Sequence, residues 1–175
     1  MSQLRVNTIT NAGGTGSTYA PGHVVQVVST AKTDTLALST STYTNLTGLT
    51  ATITPSSASS RILVIFDVKG HADVSLVTNI QLRLVRGTTP IYIGDLGGSR
   101  TRATFGGLIS NAAFTQEQAS GVFLDSPATT SAITYAVQGR TDTAAALFIN
   151  RSYGDSDADG RTRTASSITL MEIAQ

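Results

Sequence analysis

Cysteine and tryptophan are absent, histidine occurs twice and proline four times, and charged side chains make up only 13% of the 175 residues. Each scarcity excludes something. Without cysteine there is no disulfide framework, no thiolate nucleophile and no thiolate-bound zinc, so stability has to come from packing or assembly. The charged fraction is about half the usual ~25%, which leaves a weakly repelling surface. Such a surface suits a protein that is covered by a partner or by identical chains. The formal net charge is +1 and no dense run of lysine or arginine occurs, so nucleic acid is not an expected partner. No apolar stretch reaches the ~18 residues of a membrane span, and the opening M-S-Q-L-R-V-N lacks the apolar centre of a secretory signal. Synthesis in a cytoplasm without a secretory route, and no membrane partner, are the expectations.

What fills the gap is hydroxyl: 19 serines and 28 threonines, residue types that favour strands and turns over long helices. The longest apolar run, R-I-L-V-I-F-D-V at residues 61 to 68, is rich in β-branched and aromatic types and follows the breaker string T-P-S-S-A-S-S. It reads as a central strand buried on both faces. Around it lie segments of period two. Leu49, Ala51 and Ile53 alternate with threonines, Ile80, Leu82 and Leu84 with Gln81, Arg83 and Val85, and Ile168, Leu170 and Glu172 with Thr169, Met171 and Ile173. I-Y-I-G-D, G-V-F-L-D, S-A-I-T-Y-A-V-Q-G-R and A-A-L-F-I-N-R-S read as further strands, whereas residues 103 to 118 read as irregular. About ten to twelve strands without an amphipathic helix predict an all-β fold, an antiparallel β-sandwich of jelly-roll type. Residues 1–22 stand apart. A short strand at Leu4 to Thr10 runs into a linker containing Gly13, Gly14, Gly16, Pro21 and Gly22, so two parts are expected: an anchoring strand with its linker at 1–22 and a head domain at 23–175.

Few residues point to chemistry. Asp155, Asp157 and Asp159 with Gly160 match the opening D-x-D-x-D-G of a calcium loop, but the twelfth position is Ser166 rather than glutamate and strands flank it. The stretch reads as a solvated hairpin tip that is at most a weak cation site. His23 and His71 lie in no metal-ligand spacing, and His71 near Asp67 and Asp73 lacks the nucleophile elbow of a hydrolase. The G-G-T-G run lacks the lysine of a phosphate loop. Arg83, Arg86, Arg100, Arg102, Arg140, Arg151, Arg161 and Arg163, interleaved with Tyr92, Tyr135 and Tyr153, are residue types common at interfaces and sugar-binding surfaces, and equally at home on ordinary strands. No catalytic residue, cofactor or metal is expected, and the chain does not read as an enzyme.

The opening S-Q-L-R-V-N-T-I-T-N with G-G-T-G resembles the N-terminus of virion fibre proteins of tailed bacteriophages, particularly phages of cyanobacteria and marine bacteria. G-H-V-V-Q-V-V-S-T, I-T-P-S-S-A-S-S-R-I-L-V and A-S-S-I-T-L-M-E-I are similar to the jelly-roll heads of such fibre and decoration proteins. The resemblance implies a homotrimer in the virion, bound to other virion proteins through Leu4, Val6 and Ile9, with a head that faces a host surface glycan. Its alternative is a capsid decoration protein that clamps coat subunits and recognises no host.

Overall fold

A computed structural model describes residues 19–73, 79–107, 112–142 and 145–175. The anchoring strand, and with it Leu4, Val6 and Ile9, lies outside the described residues. Eleven strands are present among them: β1 (Val24–Lys32), β2 (Leu36–Leu38), β3 (Thr44–Ile53), β4 (Arg61–Ala72), β5 (Ile80–Arg86), β6 (Thr89–Ile91), β7 (Phe105–Gly106), β8 (Glu117–Asp125), β9 (Ile133–Thr141), β10 (Leu147–Ile149) and β11 (Ser166–Ile173). They form two antiparallel sheets, consistent with a β-sandwich.

In the six-stranded sheet, β1 pairs with β11, β11 with β4, and β4 with β8. The free edge of β4 changes partner part-way: Arg61 to Asp67 lie opposite β11, and Gly70 to Ala72 lie opposite β10, which in turn pairs with β2. Gly70 permits that handover, since a Cβ there would collide with the carbonyl of Phe148. In the five-stranded sheet the order is β3, β9, β5 and then β6, with β7 also on β5. Three of the pairings are nested, first strand with last (β1·β11), then β3·β9, then β4·β8, while β4·β11 and β5·β9 join them within each sheet.

The core lies between the sheets. Leu46, Leu49 and Ile53 of β3, Ile80, Leu82 and Leu84 of β5, and Tyr135 and Val137 of β9 meet Ile62, Val64, Phe66 and Val68 of β4 and Ile168 and Leu170 of β11. Each such aliphatic side chain contributes about 1.5–3 kcal/mol relative to exposure. Period two therefore reads correctly in β3, β5 and β11.

The central run differs from expectation. β4 has neighbours on both edges, but over Arg61 to Lys69 only one of its faces is buried, with Leu63 and Ile65 on the other half-exposed; beyond that, His71 on the outer side is buried as well. The cause is layering: a sandwich sheet has one inner face, and among the described residues no second layer covers the outside over Arg61 to Lys69. Strand ends differ too. Of I-Y-I-G-D only Ile91 is in a strand, the last residue of β6, because Tyr92 directly after it adopts a left-handed backbone (φ 52°). The region expected to be irregular holds β7 and the start of β8.

Candidate functional site

The termini define one end of the sandwich. Gly22 donates its N–H to Ala174 and Ala174 donates to His23, so chain entry and exit sit together. Beside them is a cavity of about 390 Å³ lined by Tyr19, Val25, Ala174, Gln175 and four serines, Ser56, Ser57, Ser59 and Ser60. Glu172, fully buried on the inner face of β11, lies next to it. Its carboxylate accepts from Gln26 Nε2 (2.6 Å), Ser56 N (2.8 Å) and Ser56 Oγ (2.6 Å). Burial pushes its pKa up, and the hydrogen bonds from Gln26, Ser56 and Ser60 outweigh that push, leaving it below the ordinary value. This is a structural tie between β11, β1 and the loop after β3.

At the opposite end lies the acidic loop between β10 and β11. Asp155 does not converge with Asp157 and Asp159. Arg163 and Arg151 clamp it instead, with Nη2 of Arg163 at 3.0 Å and Nη1 of Arg151 at 3.1 Å. The hydrogen bond from Arg163 holds the Asp155 carboxyl below its usual range. Arg161 stacks over Phe114 at 3.4 Å, docking the loop on its neighbour. Among the described residues no group of three or more His, Cys, Asp or Glu side chains is placed to hold a metal ion. Millimolar calcium is therefore expected to leave the melting temperature unchanged. A clear rise, absent in Asp155→Asn, would show that the loop gives up its arginines for a cation.

The histidines form no dyad. His71 is fully buried, and its Nδ1 faces the carbonyl of Ala72 rather than a carboxylate, while Asp67 pairs with Lys69. His23 stacks on Tyr19 with ring centroids 5.4 Å apart.

The scattered arginines separate into distinct roles once the strands are in register. Arg86 and Tyr135 converge on Asp125, with both Asp125 oxygens 2.9 Å from Arg86 Nη1 and the Tyr135 hydroxyl donating at 2.6 Å. That group ties β8 of one sheet to β5 and β9 of the other. Burial first, and the Asp125 hydrogen bond second, push the Tyr135 phenol well above its ordinary range. Arg151 stacks on Phe148 at 4.1 Å. Arg100 and Arg102 hydrogen-bond loop carbonyls at Gly97 and Gly94.

Arg83 and Arg140 differ from all of these. Both project from the outer face of the five-stranded sheet onto one ring, that of Tyr43, at 4.0 and 5.8 Å from its centroid. Arg83 Nε donates to Gln138 Oε1 (2.7 Å), and Gln138 Nε2 to Asn45 Oδ1 (2.8 Å), following the register Arg83↔Gln138↔Asn45. The Tyr43 hydroxyl donates to Gln81 Oε1 (3.4 Å) and to the Arg102 carbonyl (3.3 Å). The residue composition alone flagged both arginines but not Tyr43, because the ring meets them only through strand pairing. Chemically the arrangement can bind and orient an anion; it holds no nucleophile and base in contact.

No protein-family model matches this chain, and no curated protein matches it either.

Proposed function

We propose that the chain is a bacteriophage virion protein, a short trimeric tail fibre attached through its N-terminal segment and presenting a jelly-roll head to the host surface. The nested strand pairing supports the jelly-roll reading of the sandwich. One observation supports the assembly: between Arg61 and the Asp67–Lys69 pair, the outer face of the six-stranded sheet carries an apolar band uncovered among the described residues. Val27, Met171, Leu63 and Leu124 form a row across four strands, with Ile65 and Val122 in the row beside it. Val27, Val122 and Leu124 are 54%, 59% and 40% exposed. A band of this kind marks an interaction surface, and its lack of charge suits an identical chain better than a charged partner.

Light scattering of the purified protein is expected to give three chains per particle. A stable monomer at micromolar concentration would overturn the trimer. Deleting residues 1–18 is expected to leave the melting curve of the head unchanged, since the linker with Gly13, Gly14 and Gly16 uncouples the opening strand from the head, and to remove the protein from purified virions. Imaging of virions separates a tail position from the capsid surface that a decoration protein would occupy. Absence of the full-length protein from virions would sink both.

A further inference from the structure

We propose that the Arg83–Tyr43–Arg140 face binds an anionic saccharide, a sugar ring bearing a carboxylate or sulfate; as a host contact this rests on the attachment reading above, but the binding itself does not.

The first argument is charge. Two guanidinium groups share one aromatic ring with no carboxylate between them. All 11 acidic side chains are among the described residues, and none forms an ion pair with Arg83 or Arg140. The nearest acid along β9, Asp142, accepts from the backbone N–H and the side-chain amide of Asn79. Nε of Arg140 is buried without a hydrogen-bond partner. Like charges that are half-buried and uncompensated repel each other, and a buried donor left unmade costs stability. An incoming anion relieves the repulsion between the two guanidinium groups, and the cation–π contacts to Tyr43 hold them in place for it.

The second argument is the surround. Neutral hydrogen-bonding groups, Asn45, Gln81 and Gln138, flank the cations. Nδ2 of Asn45 and Nε2 of Gln81 have no partner among the described residues. Outward amides beside a guanidinium pair suit hydroxyls around a single anionic group. A polyphosphate chain requires many more cations than these, and the net charge of +1 does not supply them.

The third argument is position. β3 ends at Ile53, beside the Ser56–Glu172 tie where the chain enters the head, and begins at Thr44, next to Tyr43. Its partners on β9 run only from Gly139 to Ile133, so at ~3.3 Å per residue β3 spans roughly 20 Å, with Tyr43 at the end away from the chain entry. If the N-terminal segment faces the virion, this face points away from it.

The test is titration of the full chain with polygalacturonate, dextran sulfate and neutral dextran at low and high salt. One or both anionic polymers are expected to bind and dextran is not, with binding weakened by salt. Which anionic polymer binds separates carboxylate from sulfate. The double variant Arg83→Ala/Arg140→Ala is expected to bind about 10- to 100-fold more weakly, with an unchanged or higher melting temperature. Arg61→Ala/Arg161→Ala, which removes the same net charge elsewhere, is expected to bind like the parent. Equal binding to dextran, undiminished binding by the Arg83/Arg140 variant, or tighter binding to single-stranded DNA than to either polymer would overturn the proposal. Loss of polymer binding in that variant together with absence of the protein from virions would leave this site standing and sink the virion reading; the reverse pattern would do the opposite.

Discussion

Val64→Asp is expected to yield no folded protein. Val64 is fully buried in the middle of β4, opposite Leu170 on one edge and Phe123 on the other, within the core. The substitution removes about 1.5–3 kcal/mol of apolar burial and places an unpaired carboxylate among hydrocarbon side chains, costing several kcal/mol more whether it stays charged or takes up a proton. The sum is comparable to the ~5–15 kcal/mol that holds a whole domain together. Neighbouring chains cannot compensate, because the side chain faces the interior of its own sandwich. Ile65→Asp is the informative contrast. One residue along, it points outward between Thr169 and Val122, so the isolated head is expected to fold and the proposed trimer to weaken. Thr52→Asp, exposed beside Thr134 on the other sheet, is expected to change stability by about 0.5 kcal/mol or less. Thermal melts and light scattering of the three variants decide. A Val64→Asp protein that melts like the parent would mean that β4 is not the centre of the core.

The contrast between Val64 and Ile65 also shows what the chain states openly and what it hides. Alternation identified the inner faces of β3, β5 and β11 residue by residue, because burial on one side of a pleated strand leaves a period of two. The run at 61 to 68 carried no such period, since its outward residues are apolar as well; continuous hydrophobicity reads as burial on both faces. What produced the ambiguity is the feature that supports an intersubunit surface. The polar groupings were illegible for a different reason. Arg83, Gln138 and Asn45 are brought into one row by register between three strands, and Glu172 meets Ser56 and Gln26 across 116 and 146 residues. No local pattern encodes such separations. The acidic loop is the opposite case: D-x-D-x-D-G is visible in one dimension, whereas the pairing of Asp155 with Arg151 and Arg163 is visible only in three.

Glu172→Ala is expected to lower stability by about 2–4 kcal/mol, which for a chain of this length corresponds to roughly 5–15 °C in melting temperature. The carboxylate is the acceptor for Gln26 and for both the N–H and the hydroxyl of Ser56. Removing it leaves these donors unmade beside a buried strand, although Ser56 and Gln26 retain some access to water, which keeps the cost below that of a sealed site. Glu172→Gln is expected to cost less, because one oxygen still accepts while the new NH₂ group faces donors. The two variants also separate charge from packing. The folded pKa of Glu172 lies below its ordinary value of 4.5, so the unfolded chain binds the proton more readily than the folded one. Its stabilising contribution is therefore complete above about pH 5 and is lost as pH falls through the folded value. The gap in melting temperature between the parent and Glu172→Gln should be constant from about pH 5 to 7 and shrink below about pH 4. Other carboxylates titrate in the same range, but they are common to both proteins and cancel in the difference. A gap independent of pH would mean that Glu172 is held as the neutral acid and that the tie at the chain entry is an uncharged one.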